Sequence, residues 1–325
     1  MDELTSVNWP LNVWYVMTAI STPVYIVVLI CLLRLRCYSK TYNTTFYTLL
    51  LQHCIADLLT SSVFFASQFL RTIQPLREMI FDYQDYYIAP AFYNTIYYFL
   101  YIRCCGIMLL TSQRYMIIAA PTSHITQMIQ EVKSWKIIVV YWTIPTLLSL
   151  VVLKDVDIHF DDVDNMAIVI DKTIIMRNTT MTFIVTSITC IFCTTVYVLL
   201  YYYIRTKTTS FNQNLRREMH LAVQVLILLL GLFTVLVWSA FQNYFSRTYN
   251  SGPVYFMRSL YPLASGILSY LNPFCILFLN RDFARQVWKL ITCGRLVISQ
   301  VGTSKHQSTS NRQTNTRITK VRAVV

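Results

Sequence analysis

Seven apolar runs, each long enough to cross a lipid bilayer, divide the 325-residue chain: Val13–Leu33, Phe46–Leu70, Tyr93–Ala119, Trp135–Leu153, Met181–Ile204, His220–Phe245 and Val254–Leu279. A spanning helix needs about 20 mostly apolar residues. No water pairs with the backbone in hydrocarbon, so each segment must close its own hydrogen bonds, and a helix does this without a neighbour. Charged residues make up 13% of the chain, against roughly a quarter in a soluble domain. The expected fold is all-α, a seven-transmembrane helix bundle. Pro23 lies inside the first run, where a membrane helix tolerates it.

The connecting segments set the orientation. Met1 to Pro10 carries Asp2 and Glu3 but no basic n-region and no small-residue cleavage site, so no removable signal is expected. Arg34, Arg36 and Lys40 directly follow the first run. With the N-terminus outside, the inner segments 34–42, 114–136, 205–218 and 281–325 hold 19 of the 27 Lys and Arg, and the outer segments hold 7. The acids run the other way, 11 of 15 outside and three inside. This is the positive-inside pattern. The net charge of +12 therefore belongs at the anionic inner leaflet, and no nucleic-acid partner is expected. The nine cysteines lie in apolar runs or inner segments, so no disulfide framework is implied.

After the seventh run, RDFARQVWKLITC (281–293) places Phe283, Val287, Leu290 and Ile291 on one face and Arg281, Arg285 and Lys289 away from it. This is the pattern of a short amphipathic helix on the membrane surface, with lipids as partners. Cys293 at its end is a candidate for palmitoylation. Residues 294–325 are polar and basic, with few large apolar residues, and read as a disordered tail. The expected division is an extracellular N-terminus (1–12), the seven-helix domain (13–279), the surface helix (280–293) and the tail (294–325).

Four features inside this frame call for a chemical reason. Arg114, in Gln113-Arg114-Tyr115, ends the third run. Arginines that snorkel at membrane edges are common, so its weight comes from context. Asp57 is the only carboxylate inside an apolar run, and left ionised and unpaired it would be costly. Arg103 lies at least about 15 Å from either end of its helix, beyond the reach of snorkelling. Asp57 is the only opposite charge at comparable depth, so an Asp57–Arg103 ion pair is expected between the second and third helices. Asn272-Pro273 in the seventh run removes a helix hydrogen bond and offers a side chain to satisfy the freed groups.

Seven helices with the N-terminus outside, Asp in the second, Arg-Tyr ending the third, Asn-Pro in the seventh and a surface helix after it resemble the rhodopsin-like G protein-coupled receptors. More closely, YNTTFYTLLLQHCIADLL (42–59), TSQRY (111–115) with Ala-Ala-Pro after it, and LNPFCILFLNRDFARQV (271–287) resemble nematode serpentine chemoreceptors of the Srg superfamily, in its Srg or Srv branch. The resemblance covers residues 11 to about 293. It implies a plasma-membrane chemosensory receptor, in sensory cilia, that binds an environmental small molecule or peptide outside and activates a heterotrimeric G protein inside. Arg114, Gln113, Tyr115, Arg216 and Arg217 are the candidate coupling residues. Asp57, Arg103, Asn272 and Pro273 are the candidate intramembrane switch. Ser308, Thr309, Ser310, Thr314 and Thr316 in the tail could be phosphorylated and recruit an arrestin-like partner.

The chain departs from the general receptor pattern. The acid that usually precedes the third-helix Arg is Gln113, so restraint of Arg114 must come from elsewhere, or basal activity is high. Ile276 stands where the Asn-Pro motif usually ends in Tyr. No cysteine lies at the outer end of the third helix or between Lys154 and Arg177, so the common loop disulfide is missing. Arg103 falls where related receptors surround a sodium ion with neutral groups, so the guanidinium is expected to replace that ion.

Ligand-binding candidates, by depth, are Tyr97, Tyr98, Tyr101, Trp238, Phe241, Gln242 and Tyr261, although most aromatics at such depths pack or form interfacial belts. The loop from Lys154 to Arg177 carries six aspartates, which could steer cations or basic peptides, but the plainer reading, a solvated loop, is favoured. The sequon at Asn178 is on the outer side but too near the membrane for efficient use. No cofactor, metal site or enzyme motif is found. A light sensor is disfavoured because the seventh run has no Lys. The rival class is a seven-helix ligand-gated channel or transporter. The charge pattern opposes the first, and the lack of internal repeats opposes the second.

Overall fold

The computed structural model of the chain describes residues 9–39, 42–163, 166, 168–207, 213–248 and 251–293, with backbone alone at 207, 213–217, 251 and 293. In chain order the elements are α1 (Trp9–Tyr38), α2 (Thr45–Thr72), α3 (Gln74–Asp82), α4 (Ile88–Ala119), α5 (His124–Glu131), α6 (Ser134–Leu153), β1 (Ile158–Phe160), β2 (Ile168–Ile170), α7 (Lys172–Lys207), α8 (Gln213–Arg247), α9 (Ser251–Leu279) and α10 (Arg281–Cys293). The seven long apolar helices, α1, α2, α4, α6, α7, α8 and α9, contain the seven apolar runs. The chain is an integral membrane protein. The predicted tail at 294–325 lies outside the described residues.

Helix ends run past the apolar runs where local chemistry supports them. Residues 9–12, expected in the N-terminal segment, form the first turn of α1, where Pro10 costs no hydrogen bond. Asp171 precedes α7, which starts at Lys172, nine residues ahead of the apolar run. Its Oδ1 accepts from the backbone N–H and the hydroxyl of Thr173, both at 2.6 Å, which holds its carboxyl below the ordinary value.

α4 is the hub, packing against α2, α6, α7 and α8. It and α9 are the most buried of the seven spans, whereas α1, α6 and α7 leave most of their apolar side chains facing outward, as lipid-facing helices do. Gly106 permits the closest approach: a Cβ there would meet the Tyr141 hydroxyl at 2.6 Å and His53 Nδ1 at 2.8 Å. After α9, Asn280 Oδ1 accepts from the Phe283 backbone N–H and starts α10. Phe283 and Val287 bury against the bundle. Ile291, expected on that face, is instead exposed with Trp288, a side suited to lipid.

The loop between α6 and α7 is not a simple solvated loop. β1 and β2 pair antiparallel, with Ile158 opposite Ile170 and Phe160 opposite Ile168. Ile158, Phe160 and Met166 bury against Tyr93, Tyr97 and Tyr101 of α4 and Ile80 of α3. The hairpin therefore covers one end of the bundle, and α3 closes its flank. The Phe160 backbone N–H donates to Gln84 Oε1 at 2.8 Å.

A polar tether stands where the missing disulfide would have been. Asp155, just before the hairpin, pairs with Arg177 of α7 and accepts from Asn178 Nδ2 at 3.4 Å, while its backbone oxygen accepts from Asn94 Nδ2 of α4 at 3.0 Å. The loop is thus held to α4 and α7. Asn178 is fully buried in this cluster, which rules it out as a glycosylation acceptor in the folded state. Replacing Arg177 by Gln removes the charged arm. Amide exchange across 156–170 is expected to rise about ten-fold while the middles of α4 and α7 keep their protection. Unchanged exchange in the hairpin would show that the tether does not hold it.

Candidate functional site

At the bundle end opposite the hairpin, Arg114 is 2% exposed. Its guanidinium stacks 3.5 Å from the centre of the Phe46 ring of α2 and pairs with Glu218 of α8. A stacked and paired guanidinium is held on two sides, by packing and by charge. Gln113 is buried beside it, and its Oε1 accepts no hydrogen bond, so it does not take over the role of the usual acid. Tyr115 packs in a small cluster with Ile118, Leu200, Ala222 and Ile204. The Tyr197 hydroxyl of α7 donates to the Ala222 backbone oxygen of α8 at 2.8 Å, closing the same side. Arg216 and Arg217 lie in the first turns of α8, and their side chains are outside the described atoms, as is that of Cys293.

The middle of the bundle holds a polar core. Asp57 and Arg103 are both fully buried, and the closest approach of Arg103 Nη1 to Asp57 Oδ1 is 3.9 Å. This is an ion contact and not a direct hydrogen bond. The hydrogen bonds of Arg103 go instead to α9: to Ser269 Oγ and Ser265 Oγ, both at 2.8 Å, and to the Ser265 backbone oxygen at 3.2 Å. Asp57 Oδ2 accepts from the Tyr25 hydroxyl of α1 at 2.8 Å. Asn272 Nδ2 reaches the same hydroxyl at 3.3 Å and Cys54 Sγ at 3.4 Å, while its Oδ1 accepts from Gln224 of α8 at 3.4 Å. Pro273 is buried directly after it in α9. Helices α1, α2, α4, α8 and α9 therefore meet through one connected set of polar groups.

Between this core and the hairpin lies a cavity of about 310 Å³. That is within the size range of small-molecule sites. Tyr97, Trp238, Gln242 and Tyr261 line it, with Ile168 of β2 above. Trp238 Nε1 donates to the Met257 backbone oxygen of α9 at 2.7 Å, and its ring lies 4.9 Å from that of Tyr261. Three candidates are elsewhere. Phe241 is 52% exposed, stacked on Phe245 on the outer face of α8. The Tyr98 hydroxyl is 3.2 Å from Thr146 of α6, on the opposite side of α4 from the cavity. Tyr101 is buried beneath the hairpin with its hydroxyl 3.3 Å from Thr182 of α7. Depth alone placed these three, but rotation around the helix decides which side chain meets a cavity.

The family model for serpentine type 7TM GPCR chemoreceptor Srv matches residues 14–293. The chain belongs to the Srv family. The match settles the branch within the Srg superfamily, and it spans all seven membrane helices and α10. The broad class is thus a chemosensory receptor, and this is not a family of enzymes. No curated protein matches the chain.

Sequence reasoning missed Glu218 as a partner of Arg114 and Ser265 and Ser269 as partners of Arg103. Glu218 is one of only three acids in the inner segments and stands two residues before the apolar run of α8, which was the available clue. Two Ser four residues apart on α9 gave no such clue, because serines are common in membrane helices.

The core geometry makes a double-mutant cycle decisive. Asp57→Asn or Arg103→Met alone leaves one buried charge without its counter-charge, a loss on the order of 3–5 kcal/mol. Asp57→Asn with Arg103→Met leaves neither. The double variant is expected to recover at least half of the lost surface expression and thermal stability. Additive damage would show that the 3.9 Å contact carries no coupling and that the serine bonds alone hold Arg103.

Proposed function

We propose that this chain is a G protein-coupled chemosensory receptor of the plasma membrane, with the hairpin end outside and the Arg114 end in the cytoplasm. The ligand, an environmental small molecule or peptide, enters the cavity under the hairpin. A heterotrimeric G protein engages the opposite end. The placement of Lys and Arg supports this orientation, and the family's sensory role suggests the cilia of sensory cells.

The observation that carries the reading is the Arg114–Glu218 pair between α4 and α8. Both ends of the pair are fixed to spanning helices, so it can persist only while those helices stay close. Moving the start of α8 away breaks it and frees the guanidinium for a G-protein partner. Ligand drives this change only by binding one arrangement more tightly than the other. The cavity touches both α8 and α9, so a ligand there contacts the helices whose positions differ between states. Arg205, exposed near the end of α7, with Arg216 and Arg217 would frame the G-protein surface. The arrestin-like partner would act on the Ser and Thr of the tail, outside the described residues.

The test is basal second-messenger output without ligand, at matched surface expression. Glu218→Gln is expected to raise it several-fold, because the restraint loses its charge. Arg114→Ala is expected to abolish it, alone or combined with Glu218→Gln. Epitope tags at the two ends, probed on intact cells, check the orientation. An N-terminal tag hidden from impermeant antibody, or Glu218→Gln output equal to wild type, would overturn the reading.

A further inference from the structure

The cavity under the hairpin is basic. Two of its lining side chains are arginines, Arg71 from the end of α2 and Arg258 from α9, and among the described residues no Asp or Glu lines it. Neither guanidinium has a carboxylate within ion-pair distance among the described residues. Each instead lies against aromatic rings. Arg71 sits 5.7 Å from the centre of the Phe160 ring of the hairpin. Arg258 sits 6.0 Å from that of Tyr93 and 5.6 Å from that of Tyr255. Arg71 Nε and Arg258 Nη2 are buried and without a hydrogen-bond acceptor.

This arrangement is unusual for structural arginines. Both side chains are half-buried, whereas the fully buried arginines of this bundle, Arg103 and Arg114, each lie against a carboxylate. Two guanidinium groups with no carboxylate partner among the described residues, facing one half-open space, raise its positive potential, and low-dielectric walls concentrate it. Ring contacts at these distances leave N–H donors free for an acceptor. Among the described residues, the aspartates of the neighbouring loop do not line the cavity. Asp155 is taken up by Arg177, Asp157, Asp161, Asp162 and Asp171 are exposed, and none of these reaches the lining. An acidic mouth selecting a cation is therefore not what the lining presents.

We propose that the cavity takes an anionic small molecule, a carboxylate, sulfate or phosphate ester with an apolar or ring-containing body, whose anionic group lies between Arg71 and Arg258. Tyr97, Trp238 and Tyr261 supply the wall for the body, and Gln242 offers an amide for one further polar group. The free guanidinium donors fit a bidentate anion, and such charge-assisted bonds are the stronger kind. A volume of about 310 Å³ admits a small metabolite and excludes a folded peptide. The assignment of a ligand rests on the receptor reading above; the charge preference of the cavity does not.

The test reads the cavity's charge directly, on the full chain in discs of phosphatidylcholine alone, so that the bilayer supplies no net anion. Gln68→Cys, and separately Ser259→Cys, put a thiol on the lining. Each is labelled with a negatively charged sulfonatoethyl methanethiosulfonate and with its positively charged trimethylammonium analogue, read by mass on the peptide carrying the substitution. The rate ratio, anion over cation, is expected to exceed that of a free small thiol by about ten-fold. Adding Arg71→Gln and Arg258→Gln is expected to return it to the free-thiol value, while Arg71→Lys with Arg258→Lys, which keep the charge, preserve it. Decanoate is expected to slow labelling more than decylamine at equal concentration. A ratio at or below the free-thiol value, or decylamine protecting as well as decanoate, would overturn the proposal. Labelling needs no G protein, so failure here leaves the receptor reading standing. A raised ratio with no effect of Arg114→Ala on signalling would overturn the receptor reading and leave the anion site.

Discussion

A guanidinium near the middle of a membrane cannot reach water, and the bundle must supply everything it bonds to. Leaving such a group unmet costs about 3 kcal/mol on the most lenient scale and far more on others. Arg103 meets this demand with two serines and a backbone oxygen on α9 and with the charge of Asp57 on α2. Each partner is in turn committed: Asp57 to Tyr25 on α1, and Tyr25 to Asn272 on α9. The chain of dependence circles back to the helix that holds the guanidinium. Lipid gives helices no hydrophobic reason to associate with one another, so a polar ring of this kind does more for mutual placement than apolar packing alone.

Arg103 and Arg114 lie eleven residues apart on α4, close to three whole helical turns, and so face the same side at different depths. Their surroundings differ in kind. Every partner of Arg103 is deeply buried. The partner of Arg114, Glu218, is 30% exposed and stands at the edge of the bundle. Releasing Arg103 would strand a charge in hydrocarbon. Releasing Arg114 lets both members of the pair find water or another protein. The same helix thus carries one arginine whose partners are all buried and one whose partner is partly exposed, the difference on which the proposed switch rests.

The seven spans were legible because hydrocarbon imposes a length and a composition that few other structures satisfy, and the runs Trp135–Leu153 and Phe46–Leu70 came within two residues of α6 and α2 at each end. Asp57 and Arg103 were legible as neighbours because charges at that depth have few options. The hairpin was not. Its strands are three residues each, and their alternation of buried and exposed side chains is too short to stand out among six aspartates. Phe241 shows the other limit. An aromatic residue at the depth of a pocket is placed along the helix by counting, but which way it faces depends on how α8 rolls against α7 and α9, and only the packed bundle fixes that.

Gln113 has a consequence for how the rest state is held. Where an acid precedes the third-helix arginine, part of its restraint lies within a single helix and survives motion between helices. Here Gln113 offers no charge and no bond to Arg114, so the only counter-charge among the described residues comes from α8. The charge restraint is then a measure of the distance between α4 and α8. Under the proposed mechanism, any event that separated those helices would remove the counter-charge, while the stacking of Arg114 on Phe46 of α2 would limit how far the guanidinium swings. In the proposed switch the aromatic ring would keep the freed group at the bundle end, where a partner's acceptor could reach it.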